Sequence, residues 1–248
     1  MAIPFDALTR RDFVRTLMLS TVGVAVAGRG IPLAAQSRGT MRIGIIGSGN
    51  IGGAIGTLWA QAGHEILFSS RNPDGLADLV AEAGPRARAG YPQDAAAFGP
   101  VVFLALPYTA IPQIGRDYGA LMQGKIVMDC SNPSASRDGA MAEVAREKGS
   151  GVATAEYIPG TRVVRAFGTI NYRFALENAH RAGDKIGIPI AGDDSEAVQV
   201  ASALVVDAGF EPVLVGGLDS SKRFDMGSPG SGTNTTAAEL RRILGLSE

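Results

Sequence analysis

From Met41 onward, short runs rich in valine and isoleucine alternate with stretches in which apolar residues recur every three or four positions. A strand covered on both faces is apolar at nearly every position, whereas a helix packed on one side is apolar only along a stripe. The alternation therefore predicts an α/β protein, a doubly wound and mostly parallel sheet with helices on both faces. Strands are expected at 41–46, 65–70, 101–106, 125–129, 163–167, 185–190 and 210–215. Helices are expected at 51–62, 76–83, 139–148 and 195–208; Asp193-Asp194-Ser195 offers the last of these a cap and Gly209 a stop. Residues 226–233 are so rich in glycine and serine that a mobile, poorly packed loop is expected, followed by a helix at 235–244 that repeats Ala237, Leu240 and Leu244 at helical spacing. No internal repeat interrupts this order. The domain reading is one globular domain over 41–217 with a loop and helix over 218–248.

The first strand runs straight into Gly47-Ser48-Gly49-Asn50-Ile51-Gly52 and then into a helix. In that context a GxGxxG pattern is the Rossmann dinucleotide fingerprint. The first glycine allows the tight turn, the second lets the backbone approach a pyrophosphate, and the third lets helix and strand pack closely. Backbone N–H groups at Asn50 and Ile51, at the positive end of the helix, suit the phosphates. The end of the second strand meets the adenosine ribose, and here it reads Phe68-Ser69-Ser70-Arg71-Asn72-Pro73. No carboxylate is present to bind a free 2′-hydroxyl, whereas Arg71 and Ser70 suit a 2′-phosphate. The expected cofactor is NADP(H) rather than NAD(H). The alternative is that Arg71 is a solvated arginine in a turn.

Ligands of such sheets lie beyond the carboxyl ends of the strands. This makes Leu106-Pro107-Tyr108, Ser131-Asn132-Pro133 and Gly168-Thr169-Ile170-Asn171 rim candidates. Each has a plain structural alternative: the prolines end strands, and Thr169 or Asn171 caps the following helix. Cys130 is expected to be a small buried residue rather than a nucleophile, and His64 to serve the turn it occupies.

Ahead of the globular pattern, Thr9-Arg10-Arg11-Asp12-Phe13-Val14 precedes an uncharged, mostly apolar stretch and the small residues Leu33-Ala34-Ala35. This order is expected to be a twin-arginine signal peptide over 1–35, which sends a folded protein out of the cytoplasm, in all expectation to the periplasm. The apolar stretch falls short of the roughly 20 residues that span a bilayer, so no permanent membrane anchor is expected. The charge is nearly balanced, 23 basic against 24 acidic residues, which gives no reason to expect a nucleic-acid partner. With one cysteine and two histidines, the chain offers no disulfide and no expected metal site.

The order Gly47–Gly52, Ser70-Arg71, Leu106-Pro107 and Val163-Val164-Arg165-Ala166-Phe167-Gly168-Thr169 resembles the NADPH-dependent reductases of the deazaflavin coenzyme F-420. The same module occurs in the cytosolic domain of six-transmembrane metalloreductases, and its N-terminal half in pyrroline-5-carboxylate reductases. The resemblance covers about 41–217 and implies direct hydride transfer between nicotinamide and a flavin-like ring, with F-420, FMN or FAD as second partner. By position it implies that Ser48, Ser70 and Arg71 meet the 2′-phosphate, Asn50 and Ile51 the pyrophosphate, and Leu106 and Pro107 the nicotinamide. Pro107, Asn132 and Thr169 are then the ring-positioning candidates, with no dedicated acid or base. Two departures concern the acceptor side. Gly168 stands where the family usually presents Asn or His, and a Gly/Ser-rich loop replaces an apolar C-terminal helix. A small-molecule redox acceptor is the expected partner, and a homodimer fits the same reading. Two other readings stay open: a carbonyl or imine reductase of the β-hydroxyacid or pyrroline-carboxylate type, and a non-catalytic NADP(H)-binding protein.

Overall fold

The computed structural model describes residues 39–246, so the expected leader lies outside the described residues. In chain order the elements are β1 (Arg42–Ile46), α1 (Asn50–Gln61), β2 (Glu65–Ser69), α2 (Ala77–Ala83), β3 (Ala87–Gly90), α3 (Pro92–Phe98), β4 (Val101–Leu104), α4 (Ile111–Met122) and β5 (Ile126–Asp129). They continue with α5 (Ala135–Asp138), α6 (Ala140–Lys148), α7 (Ser150–Tyr157), β6 (Arg162–Arg165), α8 (Tyr172–Asn178), β7 (Gly187–Gly192), α9 (Ser195–Asp207), β8 (Glu211–Gly216) and α10 (Ala237–Ile243). The strands form one sheet in the order β3-β2-β1-β4-β5-β6-β7-β8. All neighbours are parallel except β6 and β7. Among the described residues no helix is long and apolar enough to cross a membrane.

β1 shows how the sheet fills both faces. Ile43 and Ile45 join one core with Trp59, Phe68, Phe103 and Phe167, while Ile46 joins the other with Leu67, Val102 and Leu104. Gly44 lies between them because α3 crosses directly over it: a Cβ there would sit 1.9 Å from the Ala95 carbonyl oxygen. On the first face, Trp59 meets Phe103 and Phe167 edge-on at 5.1 and 5.9 Å and donates its indole N–H to the Leu204 carbonyl at 2.7 Å. That bond ties α1 to α9. His64 makes a second tie. Its Nδ1 accepts the Met41 N–H, and its Nε2 faces the Asp207 carboxylate, each at 3.2 Å, so the ring serves the turn after α1 as expected.

Several boundaries differ from the sequence pattern. The strand expected at 163–167 stops at Arg165, because Phe167 turns into the left-handed region at φ +63. That expected at 101–106 stops at Leu104 as the chain leaves toward Pro107. β3, α3, α4, α5, α7 and α8 have no counterpart among the expected elements; β3 carries the unpatterned segment Ala-Arg-Ala-Gly. The Gly/Ser-rich segment is a correction too. It forms successive turns, with Ser228 N–H donating to Asp225, Gly230 to Arg223 and Ser231 to Ser228 carbonyls. Gly230 is buried, and only a residue without a Cβ fits, since one would lie 2.8 Å from Leu244. Residues 218–246 close over β7 and β8 through Phe224, Ala237, Leu240 and Leu244.

These packings predict two alanine substitutions of opposite sign. Gly44→Ala should destabilise by about 1–3 kcal/mol through overpacking against α3. Gly119→Ala, in α4 with nothing within 4 Å of the added methyl, should stabilise by roughly 0.5–1 kcal/mol. Urea midpoints of the two variants against the parent protein check both signs.

Candidate functional site

The sheet order reverses between β1 and β4, and the crevice opens at their carboxyl ends. Gly47 makes the turn out of β1 at φ +99; a Cβ there would come within 2.4 Å of the Ala105 carbonyl oxygen, on the exit from β4. Gly52 packs the first turn of α1 back onto this loop, with a would-be Cβ 2.1 Å from the Gly47 carbonyl oxygen. Gly49, the residue preceding α1, differs from both: nothing lies within 4 Å of its missing side chain. No side chain caps α1 and no acidic residue occupies its first turn, so its N-terminal N–H groups at Asn50 and Ile51 keep their attraction for an anion.

The end of β2 is fastened to this loop. Ser48 donates its N–H to the Ser69 carbonyl at 3.2 Å, and its hydroxyl oxygen accepts the Ser69 N–H at 2.8 Å. Ser70 Oγ accepts the Asn72 N–H at 3.1 Å. Each hydroxyl oxygen is thus held by a backbone N–H while its own proton stays free to donate. Arg71 beside them is exposed and joins no ion pair among the described residues.

A cleft of about 700 Å³ opens here, lined by Gly47, Ser48, Gly49, Ser70, Arg71, Leu106 and Pro107 among others. Its far wall is Pro92 with one face of α4: Gln113, Ile114, Asp117 and Tyr118. Gln113 donates to the Asp117 carboxylate at 2.6 Å, which fixes both polar groups on that wall. The sequence pattern missed this wall. The available signal was Pro112 opening a helix and the spacing 113, 114, 117, 118, which puts four residues on one helical face.

Of the ring-positioning candidates, Pro107 lines this cleft, whereas Asn132 and Thr169 do not. Pro107 is exposed at the cleft edge, while Thr169 is buried, 6 % accessible. Asn132 is drawn to Gly168, donating its amide N–H to the Gly168 carbonyl at 2.5 Å. Leu106 donates its N–H to Ser131 Oγ at 3.3 Å, which joins the two rim loops. Asn171 caps α8 by accepting the Arg173 N–H at 2.9 Å, the structural alternative read from the sequence.

Arg165, at the end of β6, holds this rim from beneath. Its guanidinium is fully buried and donates to the carbonyls of Asp129 and Ser131 at 2.9 and 3.0 Å and to Asn132 Oδ1 at 3.3 Å. It pairs with the carboxylates of Asp129 at 3.0 Å and Asp225 at 3.4 Å. Burial works against its charge, but these carboxylates outweigh burial and raise its pKa. The arginine also accounts for Gly168: a Cβ at that position would lie 2.9 Å from Arg165 Nη2 and 3.1 Å from Asn132 Oδ1. The space that a side chain at 168 would need is filled by these two residues. Cys130 is buried, and burial pushes its thiol far up, so no thiolate is available there. Asp138 anchors the Ser134 turn beside the rim, and its hydrogen bonds from Arg137 hold its carboxyl below the usual range.

Residues 42–133 match a family described as NADP oxidoreductase, coenzyme F420-dependent. Metalloreductase STEAP3 of Rattus norvegicus is 26 % identical over 187 residues, which cover 74 % of this chain and 36 % of that protein. The chain therefore spans about a third of the length of the curated relative it matches. A hypothetical protein, SMa0349, from Sinorhizobium meliloti is 26 % identical with a TM-score of 0.67, covering 79 % of this chain and 95 % of that one. A putative F420-dependent NADP-reductase from Arthrobacter sp. FB24 shares the fold at 21 % identity and a TM-score of 0.58, covering 73 % and 87 %. A pyrroline-5-carboxylate reductase from Coxiella burnetii shares it at 16 % and 0.54, covering 71 % and 59 %.

Breaking the rim support has a predictable cost. Arg165→Met leaves two buried carboxylates without their cation and should destabilise the fold by about 3–5 kcal/mol. The measurement is equilibrium urea unfolding; a loss below 1 kcal/mol would show that the network is not held by the arginine.

Proposed function

We propose that this chain, whose residues 42–133 match the family of coenzyme F420-dependent NADP oxidoreductases, passes a hydride between NADP(H) and a flavin or deazaflavin such as F-420, FMN or FAD. The observation that carries the reading is the pairing of an open Gly49 with Ser70 and Arg71 on one cleft. The crossover turn and the uncapped start of α1 would take the pyrophosphate, through Gly49, Asn50 and Ile51. Ser48, Ser70 and Arg71 would bind the 2′-phosphate, the two hydroxyls donating and the guanidinium supplying charge. Pro92, Ile114 and Tyr118 give apolar surface to the adenine, and Gln113 gives it a polar edge.

When bound, the nicotinamide supplies the hydride. The protein's part is placement: Leu106 and Pro107 support one side of the dinucleotide, and the Asn132–Gly168 contact with Thr169 behind it shapes the opposite rim where the acceptor would lie. Neither histidine lies at the cleft and the buried thiol cannot act as a base, which favours direct transfer; the titratable side chains Asp117 and Tyr118 stand on its far wall. Arg10 and Arg11 add export of the folded, cofactor-loaded protein to the proposal.

Two measurements test it. Oxidation of NADPH, followed at 340 nm with F-420, FMN and FAD in turn, should proceed with at least one acceptor, and failure with all three would count against catalysis. Arg71→Ala should weaken NADPH binding by about 1.5–3 kcal/mol and leave NADH nearly unchanged. Equal losses for the two cofactors would overturn the 2′-phosphate assignment.

A further inference from the structure

The far wall of the dinucleotide cleft carries a charge that an anionic ligand alone does not explain. Asp117 is the one carboxylate among the described residues that line the cleft, and it shares that cavity with Arg71 and the glycine turn. It joins no ion pair among the described residues. A carboxylate accepts hydrogen bonds and donates none. Beside a pyrophosphate and a 2′-phosphate it repels the ligand, unless a donor group of the ligand is brought to it.

The hydrogen bonds along α4 decide what this wall offers. Arg116 stands three positions after Gln113 and Asp117 four, so both neighbour it on the helix surface. The Arg116 guanidinium donates to Gln113 Oε1, which turns the amide nitrogen toward Asp117, where it donates to Oδ1 at 2.6 Å. The acceptor of Gln113 is thereby engaged. What remains is the second amide proton of Gln113 beside Oδ2 of Asp117, a donor next to an acceptor. Adenine presents the matching pair on its Watson–Crick edge, where the 6-amino group donates and N1 accepts. A 6-oxopurine such as hypoxanthine presents the reverse, an oxygen that accepts and an N1–H that donates. Ile114 and Tyr118 follow the two polar residues on α4 and line the same cavity, so a base laid on them brings its edge to the pair.

We propose that Gln113 and Asp117 read the base of the dinucleotide, Asp117 accepting from the 6-amino group and Gln113 donating to N1, so that the cleft selects adenine dinucleotides over their 6-oxopurine counterparts. The proposal rests on the NADP(H) reading above and extends it from the 2′-phosphate to the base. It adds no chemical step. Arg116 takes part only by holding the orientation of the Gln113 amide.

NADP⁺ and nicotinamide hypoxanthine dinucleotide phosphate test it, because they share every group except the edge of the purine. In calorimetric titrations of the intact protein, Kd for the hypoxanthine dinucleotide should be at least about tenfold above that for NADP⁺, since a site built to pair with an amino group leaves its own polar groups unpaired against an oxygen. Asp117→Asn, on an exposed side chain, replaces the carboxylate by an amide that can donate to the 6-oxo group. It should weaken NADP⁺ binding, tighten binding of the hypoxanthine dinucleotide and bring the two Kd values within about threefold of each other. A merely structural role for Asp117 would weaken both alike, so a ratio left unchanged by the substitution overturns the assignment. Equal Kd values in the unsubstituted protein overturn the base reading while the 2′-phosphate reading stands. Binding of neither dinucleotide overturns both.

Discussion

The close approach of three backbone segments at the carboxyl end of β1 is the constraint on which the rest depends. Gly47 lies against the exit of β4, and Gly52 lies against Gly47, at separations where a single added carbon would fall 2.4 and 2.1 Å from a carbonyl oxygen. Only because these contacts are made without side chains can α1 start immediately after the strand and aim its N-terminal N–H groups across the crevice. Only because Ser48 then binds the backbone of Ser69 does the end of β2, with Ser70 and Arg71, stand beside that helix start. The uncapped N-terminal end of a helix and the exposed guanidinium of Arg71 are thus set by one turn.

The second organising element is the buried guanidinium of Arg165. It replaces what a loop cannot provide by itself, a fixed position for Ser131, Asn132 and Gly168 at the ends of β5 and β6. A buried charge of this kind is weak evidence for stability, since its desolvation offsets most of the attraction. Its clearer consequence is geometric. It fills the space at Gly168, shapes the rim from below, and links that rim through Asp225 to the turns near the C-terminus. The two organising elements shape different parts of the rim, one the turn after β1 and one the loops after β5 and β6.

Much of the fold was legible because its strands are buried on both faces and stand out as unbroken apolar runs. The dinucleotide turn was legible because its glycines are demanded by backbone distances that depend on local spacing. The elements that stayed hidden lack a local signal. β3 is a short edge strand with two arginine-flanking alanines and no apolar run, and α4 opens on Pro112 and contains Gly115 and Gly119, which blur its helical stripe. Long-range partnerships were equally hidden. Arg165 reads as a charge at the end of a strand, and nothing near it announces a carboxylate at Asp225, 60 residues away. The packing of Gly230 was missed for a related reason: composition reports how freely such a segment could move, not the space into which a glycine fits.

The crevice between β1 and β4 is proposed to select a dinucleotide by its 2′-phosphate. Calorimetric titration of the unsubstituted protein with NADP⁺, NAD⁺ and 2′,5′-ADP tests it without requiring turnover. NADP⁺ should bind at least about tenfold more tightly than NAD⁺, and 2′,5′-ADP should compete with it for a single site. Equal affinity for NADP⁺ and NAD⁺, or 2′,5′-ADP that leaves NADP⁺ binding unchanged, would contradict it.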